Sequence, residues 1–247
     1  MKSALKWGSL GILVYLVFLI AKLPAVHVFS KLPLPADVKI SGISGTIWNG
    51  HAQSAQINGL PILNLNWSLA FFPLLTGEIS AEIKAGNVRD IEQVSVNGQV
   101  QFSGERIQAE DTLVYVPTTL VMRLLTLPVP VDAEGRFKVQ LQEIDYQAGC
   151  QAVIGSGQWL NAKYTGTAGV IDLGNFDAKL GCENKQIIID VKPPNSFGLT
   201  AKAKIPANMK FTIEGRFKPD ANLPREVHQA AQFFGNVDSS GYYPIKF

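Results

Sequence analysis

Residues 63–69 read Leu-Asn-Leu-Asn-Trp-Ser-Leu, and residues 79–85 read Ile-Ser-Ala-Glu-Ile-Lys-Ala. In both runs every second residue is apolar and the residues between are polar. A period of two is the signature of a strand with one face on a core and one in water. The same alternation recurs at Phe137, Val139 and Leu141, at Leu199, Ala201, Ala203 and Ile205, and at Phe211, Ile213 and Phe217. Antiparallel sheets make this pattern, whereas parallel sheets buried under helices on both faces do not. The runs are punctuated by Asn49-Gly50, Asn58-Gly59, Gly86-Asn87, Asn97-Gly98 and Pro193-Pro194-Asn195. Asn-Gly pairs suit tight hairpins because both central positions of a type I′ turn take positive φ. The expected fold is mainly β: an antiparallel, curved sheet of meander or Greek-key order, with a half-pipe as one form of it.

Two short helices interrupt the strands. Thr118–Leu125 follows Pro117, with Thr118 as a candidate cap, and stops before Pro128. Residues 224–234 begin with Pro224 and end before Gly235, which suits the first helical position and the C-terminal cap. Val227, Ala230, Ala231 and Phe234 fall on one stripe that should face the sheet. Ala133-Glu-Gly-Arg-Phe-Lys138 is echoed by Ile213-Glu-Gly-Arg-Phe-Lys218, with four expected strands between the copies. Two similar sheet halves or chance would each produce such an echo.

Residues 1–28 differ from all that follows. Lys2 and Lys6 precede an uncharged core from Trp7 to Ala21, and Lys22 separates it from Leu23–Phe29. No small-x-small cleavage site follows the core, which favours an uncleaved anchor over a signal peptide. With Lys22 snorkelling, residues 7–28 make roughly 33 Å of helix, enough for a bilayer. The expected division is a cytoplasmic tip at 1–6, a transmembrane anchor at 7–28 and a β-rich domain at 29–247. The lysines on the short N-terminal side place that tip in the cytoplasm and the domain beyond the inner membrane, in a periplasm. Cys150 and Cys182 stand 182 − 150 = 32 positions apart. In an oxidising space such a pair reads as a disulfide, the alternative being two buried thiols.

Net charge is +2 with a pI near 8.5, and the sequence has no run of five like charges, so nothing points to nucleic acid. No catalytic constellation is legible, and the expectation is a protein that is not an enzyme, with no cofactor and no metal. The stretch Ser41-Gly-Ile-Ser-Gly-Thr-Ile-Trp-Asn-Gly50 lacks the Lys-Ser/Thr of a phosphate loop and the G-x-S-x-G spacing of a nucleophile elbow. It reads instead as a short β segment ending in Asn49-Gly50. Trp48 is its apolar plug, expected beside Trp67 or Leu65. His51 is a lone histidine one residue past this turn.

Three stretches together carry a resemblance. They are Gly45-Thr-Ile-Trp-Asn-Gly50, then Leu65-Asn-Trp-Ser-Leu69 leading into Phe72-Pro-Leu-Leu-Thr-Gly77, and the ending Gly241-Tyr-Tyr-Pro-Ile-Lys-Phe247. With the anchor, they make the whole chain resemble the general secretion pathway N family, protein N of the type II secretion system of Gram-negative bacteria. Gly45, Trp48, Gly50 and Trp67 are the family markers. The resemblance implies an accessory inner-membrane component, with other subunits of that system as partners and no enzymatic activity. The Gly-x-Ile-Trp-x-Gly turn also occurs in AsmA-like envelope proteins linked to lipid transfer. That makes lipid, held on an apolar concave face, a further candidate partner.

Overall fold

A computed structural model describes residues 2–33, 35, 37–57, 59–123, 132–166, 169–208 and 210–246. Its centre is a sheet of fourteen strands. In chain order they are β1 (Val38–Ser41), β2 (Ser44–Gly45), β3 (Asn49–Ile57), β4 (Leu60–Leu69), β5 (Ile79–Ala85), β6 (Ser95–Ser103) and β7 (Arg106–Pro117). They continue as β8 (Ala133–Tyr146), β9 (Cys150–Gly166), β10 (Gly169–Glu183), β11 (Gln186–Val191), β12 (Thr200–Ile205), β13 (Thr212–Phe217) and β14 (Tyr243–Lys246). Spatial order follows sequence order from β3 to β14, with β1 and the two-residue β2 both on β3. Every paired strand is antiparallel to its neighbour. The expected mainly β, antiparallel fold is therefore present, and its order is a meander rather than a Greek key.

The alternating runs fall where the period placed them. Residues 79–85 are β5, and 63–69 lie within β4. Register puts the apolar members of successive strands on one face: Trp67 opposite Ile83, Ala81 opposite Val100, Val139 opposite Gly157, Leu180 opposite Ile189, Ala203 opposite Ile213. Most of these side chains are only half-buried. At one end this face is closed. Aromatic rings run Phe137–Trp159–Phe176–Phe197–Phe217, at centroid distances of 5.3–6.0 Å. Phe197, from the loop after β11, bridges β10 to β13. The helix Arg225–Ala231 buries Val227 and Ala231 there, and Val227 packs with Ala162, Ile171, Leu173 and Phe176. This is the stripe the sequence assigned to the sheet, and a 3₁₀ turn at Gln232–Phe234 completes it.

Several expectations are corrected. Asn97-Gly98 is not a turn. It lies inside β6 beside a register shift against β7, where a Cβ on Gly98 would meet Thr112. Both bulges and I′ turns exploit the permissive backbone of Asn and Gly, so the pair alone did not distinguish them. Asn49-Gly50 opens β3 rather than ending a strand; the chain turns just before it. Asn58 and residues 124–131 lie outside the described residues, so the turn at Asn58-Gly59 and the end of the 118–125 helix do too. The described part of that helix is Thr118–Met122. Pro117 takes the N-cap position, and Thr118 is fully buried with no hydrogen-bond partner for its hydroxyl among the described residues.

The N-terminal segment is also divided differently. Helix α1 covers Lys2–Ala21, and a second helix, α2, covers Ala25–Phe29. Pro24 causes the break, since it lacks an N–H and disfavours helical φ/ψ at the preceding residue. Pro24 bridges to Thr46, Ile47 N–H donates to Leu23 O at 3.1 Å, and Ala25 is fully buried. Residues after 22 thus belong to the sheet's base and do not continue a straight 7–28 helix. Among the described residues no helix is long and apolar enough to cross a membrane. In α1 itself every residue from Leu10 to Ile20 is exposed, on all sides.

The Glu-Gly-Arg-Phe-Lys echo is structural. Its copies lie on β8 and β13, and the four strands β9–β12 stand between them. Arg136 pairs in register with Pro117 and lies 4.4 Å over Tyr115; Arg216 pairs with Pro244 and lies 4.7 Å over Tyr242. Each arginine thus faces a Tyr-x-Pro strand, β7 in one case and β14 in the other. The sheet places those partner strands on opposite outer sides of the two copies.

Candidate functional site

The four marker residues converge on one corner, where β2, β3 and β4 meet α1 and α2. Gly45 has φ +82°, and a Cβ there would lie 2.6 Å from Asn49 O, so the turn requires glycine. The turn is closed by Thr46 N–H to Asn49 O at 2.9 Å and by Asn49 N–H to Thr46 Oγ1 at 3.1 Å. Gly50 lies opposite Trp67 in register, and a Cβ on it would occupy the Trp67 ring. The glycine therefore makes room for the indole, whose Nε1–H donates to Ile47 O at 3.1 Å. Phe29 of α2 packs on Trp67 at 5.2 Å.

Trp48 is half-buried and does not take the expected place. Its ring neighbour is Phe71, at 5.4 Å, and its Nε1–H donates 2.8 Å to Ile20 O in the last turn of α1. Its backbone holds the first strands, with Leu69 N–H donating to Trp48 O at 2.7 Å. Phe71 opens a one-turn helix, α3 (Phe71–Leu74), between β4 and β5. Phe72 packs on Phe71 at 5.9 Å. Phe72 is 80% exposed and Leu75 71%. In the sequence this turn stands out only as one of the stretches that carry the family resemblance; the uncharged run Leu69–Leu75 is the signal for its apolar surface.

On the polar face of the same corner, Asn49, His51, Asn66, Ser68, Glu82 and Lys84 line a shallow cleft of about 400 Å³. His51 Nδ1 lies 3.1 Å from Asn66 Oδ1, and Lys84 pairs with Glu82 at 2.7 Å. His51 thus faces an amide rather than a carboxylate or a nucleophile, and Glu82 is ion-paired with Lys84. These groups suit hydrogen bonding to a polar surface and lack the paired geometry of acid–base or nucleophilic chemistry. Among the described residues no cluster of His, Cys, Asp and Glu could hold a metal ion.

The cysteines lie apart from this corner. Cys150, at the start of β9, and Cys182, near the end of β10, form a disulfide with Cα atoms 6.0 Å apart. Beside it Arg106 binds Asp145 through two bonds, Nε to Oδ1 at 2.9 Å and Nη2 to Oδ2 at 2.5 Å. Hydrogen bonding from Arg106 holds the Asp145 carboxyl below the usual carboxylate range. A second polar node centres on Arg136. It is only 8% exposed, and donates to Val88 O at 2.5 Å and to Gln93 O and Ser95 Oγ, each at 3.2 Å. Burial pushes its guanidinium below the ordinary arginine value.

A family model described as type II secretion system protein N matches residues 36–246. The chain is 28% identical to type II secretion system protein N of Vibrio cholerae over 251 residues, covering 99% of this chain and 98% of that one. The protein of the same name from Aeromonas hydrophila is 27% identical, covering 100% of this chain and 98% of its own. That from Klebsiella pneumoniae is 26% identical, covering 100% and 96%. No solved structure matches the chain. With a match that runs from just before β1 through β14, the chain belongs to the type II secretion system protein N family.

Proposed function

We propose that the protein is an accessory, single-pass inner-membrane component of the type II secretion system. In this reading residues 1–6 stay in the cytoplasm, residues 7–28 form the anchor region with α1 in the bilayer, and 29–247 form a periplasmic domain. That domain supports export of folded proteins across the outer membrane through contacts with other subunits, without catalysis of its own. Membership of the family carries the reading. It is supported by the apolar side chains that α1 exposes on every side and by a disulfide suited to an oxidising space. Deleting the gene should reduce secretion of folded exoproteins and leave them in the periplasm. In-cell crosslinking from the periplasmic face should capture secretion subunits. Normal secretion with no subunit captured would sink the proposal.

A second reading, that of an AsmA-like lipid-binding or lipid-transfer protein, is favoured by one observation. The apolar side chains of successive strands share a single face and stay half-exposed over much of it. Small residues there, among them Ala81, Gly157 and Ala203, leave room for an acyl chain. Native mass spectrometry of the purified full chain tests it: bound lipid supports transfer or storage, and repeated absence of lipid removes it.

A further inference from the structure

The uncharged part of α1 runs from Trp7 to Ala21, which is 21 − 7 + 1 = 15 residues. At 1.5 Å per residue this is about 22 Å, short of the roughly 30 Å hydrocarbon core. A helix that falls short is accommodated by thinning of the bilayer, or by other apolar groups seated at the depth it leaves uncovered. Such groups stand at the helix's own end. Trp48 donates its indole N–H to Ile20 O, within the last turn of α1. Phe71 packs on Trp48, and Phe72 packs on Phe71. Phe72 and Leu75 then project outward, 80% and 71% exposed. No charged residue occurs from Leu69 to Thr76. An exposed aromatic turn that adjoins an apolar helix, through a tryptophan with its polar atom satisfied, has the make-up of a membrane–water interface.

We propose that Phe71, Phe72 and Leu75 form a lipid-inserting foot, which seats the base of the sheet in the headgroup and upper acyl region of the membrane around the end of α1. The occupant of this surface is the lipid bilayer itself, and the proposal rests on the membrane reading of α1. The foot makes up the depth that a fifteen-residue apolar segment leaves. It also fixes the tilt of the domain, because the helix end and α3 are held together by the Ile20–Trp48–Phe71 chain of contacts.

The test uses the full chain in vesicles of phosphatidylethanolamine and phosphatidylglycerol that carry a shallow doxyl-labelled lipid. Single cysteines are introduced as Phe72→Cys, Leu75→Cys, Phe18→Cys and Val88→Cys, and labelled with an environment-sensitive dye while Cys150 and Cys182 stay disulfide-bonded. Positions 72 and 75 are already largely exposed, so their substitution spares the fold. Val88, 52% exposed, lies at the opposite rim of the sheet. Dye at 72 and 75 should shift to the blue and lose emission to the doxyl lipid, while dye at 88 keeps its aqueous spectrum. If 18 is quenched but 72 and 75 behave like 88, the foot is overturned and the anchor stands. If 72 and 75 are quenched and 18 is not, the turn meets lipid without α1 in the bilayer, and both the anchor and the foot as a complement to it are overturned. If no position is quenched, both fall.

Discussion

Arg136 and Arg216 hold the same place in two copies of one pattern, yet they sit in different environments. Each follows a glycine, precedes a phenylalanine and faces a Tyr-x-Pro strand in matching register. Arg136 has the rest of the sheet beyond its tyrosine. It reaches across to the segment that leads into β6, where Val88, Gln93 and Ser95 supply its acceptors, and it is buried. Arg216 stands on β13, next to the last strand of an open sheet. Its partner is Asp238 in the loop before Tyr242, whose carboxylate lies 3.7 Å away, and the Arg216 side chain is 57% exposed. Sequence repetition thus set the register and the cation–ring contact twice. Position in the sheet decided which copy became a buried brace and which became a surface pair.

The comparison breaks first at Arg136. Arg136→Ala should destabilise the fold by about 2–4 kcal/mol, because it removes the donor to two part-buried carbonyls and the buried Ser95 hydroxyl, and the stack on Tyr115. A urea melt checks this, and a loss below about 1 kcal/mol would show that the buried brace is not structural. Arg136→Lys should recover part of that loss and leave roughly 1–3 kcal/mol, since a single ammonium cannot serve all three acceptors or keep the planar stack on Tyr115. Arg216→Ala should cost less than about 1 kcal/mol, as exposed pairs do, and its effect should shrink further in high salt. The smallest effect concerns pH. Backbone N–H groups of Tyr242 and Ser240, with Arg216, hold Asp238 below the usual carboxylate range. A depressed carboxyl stabilises the fold above its unfolded value, and that contribution is lost as pH falls through the folded one. Asp238→Asn should therefore lower stability slightly at neutral pH and flatten the acid limb, the two proteins converging as pH falls through the folded value. An equal acid limb in both proteins would remove Asp238 from the account.

The period of two made most strands legible, and β5 coincides with its alternating run from Ile79 to Ala85. The reading fails where a strand carries an extra residue. Asp111 and Asn161 take positive φ at such register shifts inside β7 and β9, at 45° and 50°. In β7 the buried positions go from Ala109 to Thr112, three residues on rather than two. No local pattern distinguishes such an insertion from a turn. At the candidate site, Gly45 and Gly50 stood out only through the family resemblance, and their steric need came from the fold, whereas the pairing of the two cysteines was legible in the sequence. That Trp48 turns to Ile20 and Phe71 could not, because those partners are 28 and 23 positions away and only the tertiary fold brings them together. The role of Arg136 was hidden for the same reason: its acceptors lie 41 to 48 positions earlier.

The unbroken strand order has a kinetic side. In a meander each new strand docks on the one just made, so loop closures are short and cheap in entropy. A chain emerging N-terminus first, from a ribosome or a translocon, can add strands in the order they arrive without waiting for its C-terminus. The growing edge is exposed until the next strand covers it, and the last edge to form is the short β14 that carries Pro244. Growth then stops at a strand ill suited to template another, because proline cannot donate to a further ladder.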